Sequence, residues 1–277
     1  DDFSQMTWHG LAAATNGTTF PHTTPGNPYL SSYAVRDWTK RTKHNSLGAT
    51  IDYKLGSYDR VSLSFQYGYS DFDSNQHTLT FLTGAVQPGG FSTTFTRGVA
   101  GAGEIRTNNF AQKIGGYFYM PNFTYRHDGP VWKWDLGLGM SRAVRRLKDV
   151  ERGYFLNGQA RRQRVTVAFA DIFYLRPGTI TVMDNATGRS VDPYTLSSYT
   201  LNSGTSNALD ASDLQQNAFG SIRRDFYGRV PFTLKSGFDL RRSTKDIRRD
   251  NPTFVFTGAD NNAAQLLDES FSARTAP

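Results

Sequence analysis

Residues 46–72 alternate so strictly that only a β-hairpin accommodates them. Leu47, Ala49, Ile51, Tyr53 and Leu55 interleave with Ser46, Gly48, Thr50, Asp52 and Lys54. After Gly56-Ser57-Tyr58-Asp59 the pattern resumes, with Val61, Leu63, Phe65, Tyr67 and Tyr69 set against Arg60, Ser62, Ser64, Gln66, Gly68 and Ser70. A period of two sends successive side chains to opposite faces and conflicts with the helical repeat. Each arm is about ten residues long, whereas a typical soluble strand has about five or six. About nine to eleven is what a tilted strand needs to cross the hydrocarbon layer of a bilayer.

Two further hairpins repeat the plan. In the second, Tyr117, Tyr119, Phe123 and Tyr125 mark one face before the turn His127-Asp128-Gly129-Pro130. The return arm sets Trp132, Trp134, Leu136, Leu138 and Met140 against Lys133, Asp135, Gly137, Gly139 and Ser141. Pro121 falls on the apolar face and lacks a ladder donor, which predicts a bulge or a local break. In the third, Phe232, Leu234, Phe238 and Leu240 oppose Thr233, Lys235, Gly237, Asp239 and Arg241, after a weaker incoming arm, residues 218–226. There Arg224 shares a face with Ile222 and Phe226 and must snorkel to an interface. Four-residue turns close the hairpins, while long segments join them, as in outer-membrane barrels. The expectation is an all-β chain: a transmembrane antiparallel β-barrel segment of about six long strands plus loop hairpins, part of a larger barrel. Strands are expected within about 44–72, 109–142 and 217–243. The long segments 1–43, 71–108, 142–216 and 243–277 are expected outside the cell. Within them, residues 76–82 and 164–173 alternate as short strands do, 179–188 reads as a small hairpin, and the six glycines of residues 84–103 suggest mobility.

Composition agrees. No apolar run approaches the roughly 18 residues of a membrane-spanning helix, and the mean hydropathy is −0.52. A barrel keeps a low average because its strands alternate. Aromatic residues make up 14% of the chain, and Trp132, Trp134, Tyr53, Tyr125 and Phe232 crowd the short turns while Tyr67, Tyr69 and Phe72 stand at the far end. Two interfacial girdles are thus legible. Cysteine is absent, which excludes disulfides, thiolate nucleophiles and Cys-ligated metals. Neither end reads as a natural terminus, so an internal piece of a longer chain is expected.

Bond-making chemistry is not indicated. His9, His22, His44, His77 and His127 lack metal-ligand spacing, and Asp71, Asp73 and His77 read as rim residues beside a girdle rather than as an acid–base pair. No catalytic residue, metal site or cofactor is expected, and nucleic-acid binding would rest on the net charge of +7 alone. Two sets of cations are candidates for ligand binding. Arg60, Lys133, Lys235 and Arg241 face the lumen if the alternate apolar positions face lipid. Arg145, Arg146, Arg161 and Arg162 belong to a basic cluster between Arg142 and Arg164, for which phosphates of lipopolysaccharide are rival partners.

The string from Asn122 to Asp135, the string Leu234-Lys235-Ser236-Gly237-Phe238-Asp239-Leu240-Arg241-Arg242 and the hairpin from Ser46 to Tyr69 together resemble barrel segments of TonB-dependent outer-membrane receptors. The resemblance covers roughly residues 40–245. It implies active uptake of a scarce, bulky ligand (a siderophore, a cobalamin or an oligosaccharide) through the outer membrane of a Gram-negative type of cell. It also implies partnership with the receptor's own plug domain, which has no counterpart here, and with the inner-membrane energy-transducing complex. A passive pore or small complete barrel would instead close within these 277 residues. A soluble carbohydrate-binding β-sandwich would need shorter strands and two opposed inner faces.

Overall fold

The computed structural model describes residues 3–10 and 23–255. His22, and the parts of the expected outer segments within 11–22 and 256–277, lie outside the described residues. The described chain is all-β: β1 (Phe3–His9), β2 (Tyr29–Lys54), β3 (Asp59–Leu82), β4 (Val86–Phe91), β5 (Thr96–Gly98), β6 (Gly103–Asp128), β7 (Trp132–Leu147), β8 (Asn157–Phe173), β9 (Arg176–Asp184), β10 (Thr200–Thr205), β11 (Ala208–Phe226), β12 (Phe232–Asp250) and β13 (Thr253–Phe254). All thirteen belong to one antiparallel sheet, whose longest path runs β1-β2-β3-β6-β7-β11-β12. The path does not close. Among the described residues β1 is laddered only to β2, and β12 only to β11. An open antiparallel wall of this kind is consistent with a segment of a barrel. No helix of the described residues is long and apolar enough to cross a membrane.

The lower part of the sheet is a six-stranded wall built from the three expected hairpins. Its strands run well beyond the expected limits: β2 and β3 pair without interruption from Ser32↔Leu82 to Lys54↔Arg60, and β11 and β12 from Ala208↔Asp250 to Phe226↔Phe232. Much of what the sequence suggests as outer loop is therefore ladder. Residues 36–45, apart from Trp38, carry polar side chains on both faces and so give no alternation signal, yet each N–H and C=O is best satisfied by prolonging the pairing that the apolar rows below have set in register. Pro121 breaks the ladder on one side only. Pairing with β3 continues through Phe65↔Pro121, whereas the β7 ladder skips from Tyr119↔Arg142 to Asn122↔Gly139 with its register unchanged. It is a missing bond, not a bulge.

Above the wall the sheet branches. The upper part of β6 leaves β7 and pairs with β8 from Gly103↔Val165 to Phe110↔Asn157, and β9 and β10 follow along the outer edge of β8. The strands curl until the turn before β9 reaches β1, where Ser4 Oγ donates to the Leu175 carbonyl at 3.5 Å. Inside this curl lies the main core: Leu30 and Tyr33 from β2, Phe81 from β3, Ile105 from β6, Val165, Val167 and Phe169 from β8, Val182 from β9, and Tyr199. Residues 164–173 and 179–182 thus form strands, as expected, but 179–182 pairs chiefly with β8. The glycine-rich stretch carries β4 and β5, with Val86 and Thr96 buried. Gly84, at φ +66°, allows the backbone to pass against the Ala102 carbonyl where a side chain would collide.

Candidate functional site

Register decides which residues share a face, because directly paired residues of an antiparallel sheet point the same way. One complete row of the wall reads Ile51, Leu63, Phe123, Leu138, Ala218, Leu240, and the next reads Tyr53, Val61, Tyr125, Leu136, Gly220, Phe238. The apolar arms recognised separately in each hairpin therefore combine into one continuous face. Nothing covers it. Ile51 is 66% exposed, Leu138 60% and Leu240 63%, and the face carries an open groove of about 780 Å³ between these side chains. Soluble monomers rarely leave a contiguous apolar surface of this extent bare.

The apolar band has two limits. Toward the long connections the same face becomes polar within one or two rows, at Asn45, Lys43 and Arg41 on β2, Arg142 and Arg146 on β7, and Arg242 and Asp246 on β12. Toward the short turns it ends in an aromatic and polar knot. Tyr125 Oη donates to Asp59 Oδ1 at 2.6 Å, His127 Nδ1 lies 2.7 Å from the same oxygen, and Trp134 packs edge-on against His127. Nearby, the Arg224 guanidinium lies over the rings of Trp132 at 4.9 Å and Phe226 at 4.6 Å, so its charge sits on π faces at the rim.

The opposite face is polar and forms the candidate ligand site. Its rows read Lys54, Arg60, Arg126, Asp135, Ser221, Gly237 and Asp52, Ser62, Thr124, Gly137, Phe219, Asp239. A cleft of about 500 Å³ runs across them, lined by Asp52, Arg60, Thr124, Arg126, Phe219 and Lys235 among others. Arg126 holds Asp135 at 2.6 Å, Lys133 holds Asp128 at 3.0 Å and Arg241 holds Asp239 at 2.7 Å. Asp225 accepts from Arg223 Nε and Thr233 Oγ1, each at 2.8 Å. Arg60, Lys54 and Lys235 are in no ion pair among the described residues. With Asp135 already engaged by Arg126, Asp52 is the one carboxylate of the cleft lining in no ion pair among the described residues, and Arg60 and Lys235 leave the cleft with net positive charge, suited to an anionic group of a ligand or of a covering protein segment. The Phe219 ring packs against Gly137, where a Cβ would not fit, and adds an aromatic surface to the cleft.

A comparison with protein-family models finds no match, and one with curated proteins finds none.

The structure divides the two candidate sets differently. Arg60, Lys133, Lys235 and Arg241 all lie on the polar face. Lys133 and Lys235 share a row through Arg223, Arg60 is one row away, and Arg241 is further along, beside Asn217. The arginine cluster does not form one site. Arg145 falls on the polar face opposite Gly116 and Ala211, whereas Arg146 is on the other face, 3.4 Å from Asp210. Arg161 pairs with Arg106 and Thr200, while the neighbouring Arg162 turns to the core side and binds Asp184 at 2.8 Å. Asp184 is held down at about 2, first by the Thr187 backbone N–H and then by the Arg162 guanidinium and the Thr187 hydroxyl. Arg162 is thus a brace of the curled upper part of the sheet, the head. Sequence reasoning passed over Arg126 and Phe219. Arg126 was legible as the next alternate position after Thr124, but Phe219 shows its role only when paired with Gly137. Among the described residues no group of three His, Asp or Glu side chains could hold a metal ion.

Proposed function

We propose that this chain is part of the wall of a TonB-dependent receptor in the outer membrane of a Gram-negative type of cell, and serves active uptake of a scarce ligand such as a siderophore, a cobalamin or an oligosaccharide. The apolar face would contact acyl chains. The polar face would line the lumen and meet the plug domain and the ligand, with transport driven by the inner-membrane energy-transducing complex. Catalysis has no part in this reading.

The observation that carries it is the apolar band in register across the hairpins. From β2 into the turn after it the band runs from Leu47 to Leu55, on β3 from Val61 to Tyr69, on β7 from Trp132 to Met140 and on β12 from Phe232 to Leu240. Nine residues at ~3.4 Å each, tilted by ~40°, span ~23 Å, close to the ~25 Å apolar height of outer-membrane barrels. The band also drifts along the strands. Its centre on β2 is Ile51, whereas its centre on β12, Ser236, lies in the row of Ile222, Trp134, His127 and Asp59, opposite Leu55. Four residues, ~14 Å, over five strand spacings of ~4.8 Å correspond to a tilt of ~30°, near the range of transmembrane strands. Inclination of the band to the strands is what a membrane imposes and a soluble sandwich does not.

Uptake tests the proposal. In the protein carrying this wall, Arg60→Gln combined with Lys235→Gln should slow growth on a limiting ligand while leaving outer-membrane abundance unchanged. Unchanged growth on every ligand whose uptake depends on the protein would refute a role for the cleft. Ligand flux that continues after the energy-transducing complex is deleted would favour a passive pore.

A further inference from the structure

The apolar groove ends at charge. Its lining passes from Leu138 and Leu240 to Met140, Gln216 and Arg242, and the next row on the same face sets Arg142 beside Leu214. Arg142 and Arg242 thus flank β11 at the outer limit of the band. The carboxylates nearest in these rows are already engaged, Asp210 by Arg146 at 3.4 Å and Asp246 by Arg248 at 3.2 Å. Neither Arg142 nor Arg242 is in an ion pair among the described residues, and β11 offers only Leu214 and Gln216 between them. Two exposed guanidiniums, each able to grip phosphate with paired N–H donors, border a furrow shaped for hydrocarbon.

We propose that this edge is a binding site for an anionic lipid. Arg142 and Arg242 take the headgroup phosphate, Gln216 donates to it, and acyl chains lie in the groove over Leu138, Ala218 and Leu240. The occupant is a lipid and not free phosphate, because the cations continue directly into an apolar furrow that a small anion would leave empty. It is not a second copy of this chain, because the edge would then set like charge against like. This inference rests on reading the apolar face as lipid-facing and adds a headgroup preference to it. Positive charge at this edge also explains why part of the arginine cluster is parted from the lumen: Arg142 and Arg146 serve the outside of the wall.

Native mass spectrometry of the protein released from detergent micelles tests the site, using lipid A, lipid A stripped of its phosphates, and phosphatidylcholine as probes. Lipid A should be retained preferentially. Arg142→Gln with Arg242→Gln should lower its retention about 30-fold, the loss of two cations at an anionic surface, and leave phosphatidylcholine retention unchanged. Equal retention of lipid A by the double variant overturns the site while the lipid-facing reading stands, as does displacement of lipid A by millimolar inorganic phosphate. A protein that stays monomeric without detergent and retains none of the lipids overturns both.

Discussion

Asp149 is the most consequential single side chain outside the wall. It is almost completely buried and accepts three hydrogen bonds, from Ser206 Oγ at 2.6 Å, the Val150 N–H at 2.7 Å and the Asn207 N–H at 2.8 Å. Two of these donors lie on the approach to β11, so the carboxylate ties the short turn Val150–Arg152 after β7 to the strand that β7 pairs with. Asp149→Ala removes the acceptor from all three. Val150 is exposed and its N–H can turn to water, but Ser206 is buried and Asn207 half-buried. At ~1–3 kcal/mol for each stranded donor, the expected loss is ~3 kcal/mol. Amide hydrogen exchange across 205–210 should then accelerate by about 100-fold in the Ala variant, with wall amides at 217–222 unaffected. Asp149→Asn, which keeps one acceptor oxygen, should show a smaller increase. Burial opposes ionisation of Asp149, but the Ser206 hydroxyl and the Asn207 and Val150 N–H groups outweigh it and hold the carboxyl below its usual range. A lowered folded value means that this stabilisation is complete above about pH 4 and is lost as pH falls further. Exchange rates in the Ala variant within about twofold of the parent would show that the three bonds do not tie the two connections together.

Two other outcomes follow from the same physics. Asp184, depressed to about 2 by the Thr187 backbone N–H and by Arg162, contributes stability that is full above the unfolded value near about 4 and disappears as pH falls through about 2. Near-neutral titration should leave the β9 turn unchanged by NMR, and acid should release it; release near pH 5 would contradict the assignment. Leu138→Arg puts a charge well inside the apolar band and should cost ~2–4 kcal/mol in a bilayer, against ~0–1 for Trp132→Arg at the rim beside the turn. Equal costs in a lipid-vesicle folding titration would remove the depth dependence on which the band depends.

The wall was legible because its faces differ: a period of two, repeated over nine or ten residues in five arms, fixes both strand and register. The continuations at 36–45 and 243–250 were not, since apart from Trp38 and Ile247 they are polar on both faces and carry no alternation, and their pairing is inherited from the rows below. The head was harder. Arg164 at φ 59° and Asp171 at φ 51° interrupt β8, and Gly103↔Val165 marks a register shift, so the apolar positions of that strand change phase. Its partner on β6 is also remote in sequence. Proximity along the chain misled in the arginine cluster, where Arg145 and Arg146, like Arg161 and Arg162, are neighbours that the pleat sends to opposite faces. His127 read as an isolated histidine because Asp59, its partner, lies across a strand pair.

Under the proposed function, the face of Ile51, Leu63, Leu138 and Leu240 looks onto acyl chains. The chain contains no cysteine, so single cysteines can be placed at each position from Val61 to Tyr69 and spin-labelled in lipid vesicles. Collision with oxygen, which concentrates in hydrocarbon, should be high at Val61, Leu63, Phe65, Tyr67 and Tyr69, and collision with a water-soluble nickel chelate should be high at Ser62, Ser64, Gln66 and Gly68. A nickel response that is strong on the apolar positions, or the same on both sets, would contradict it.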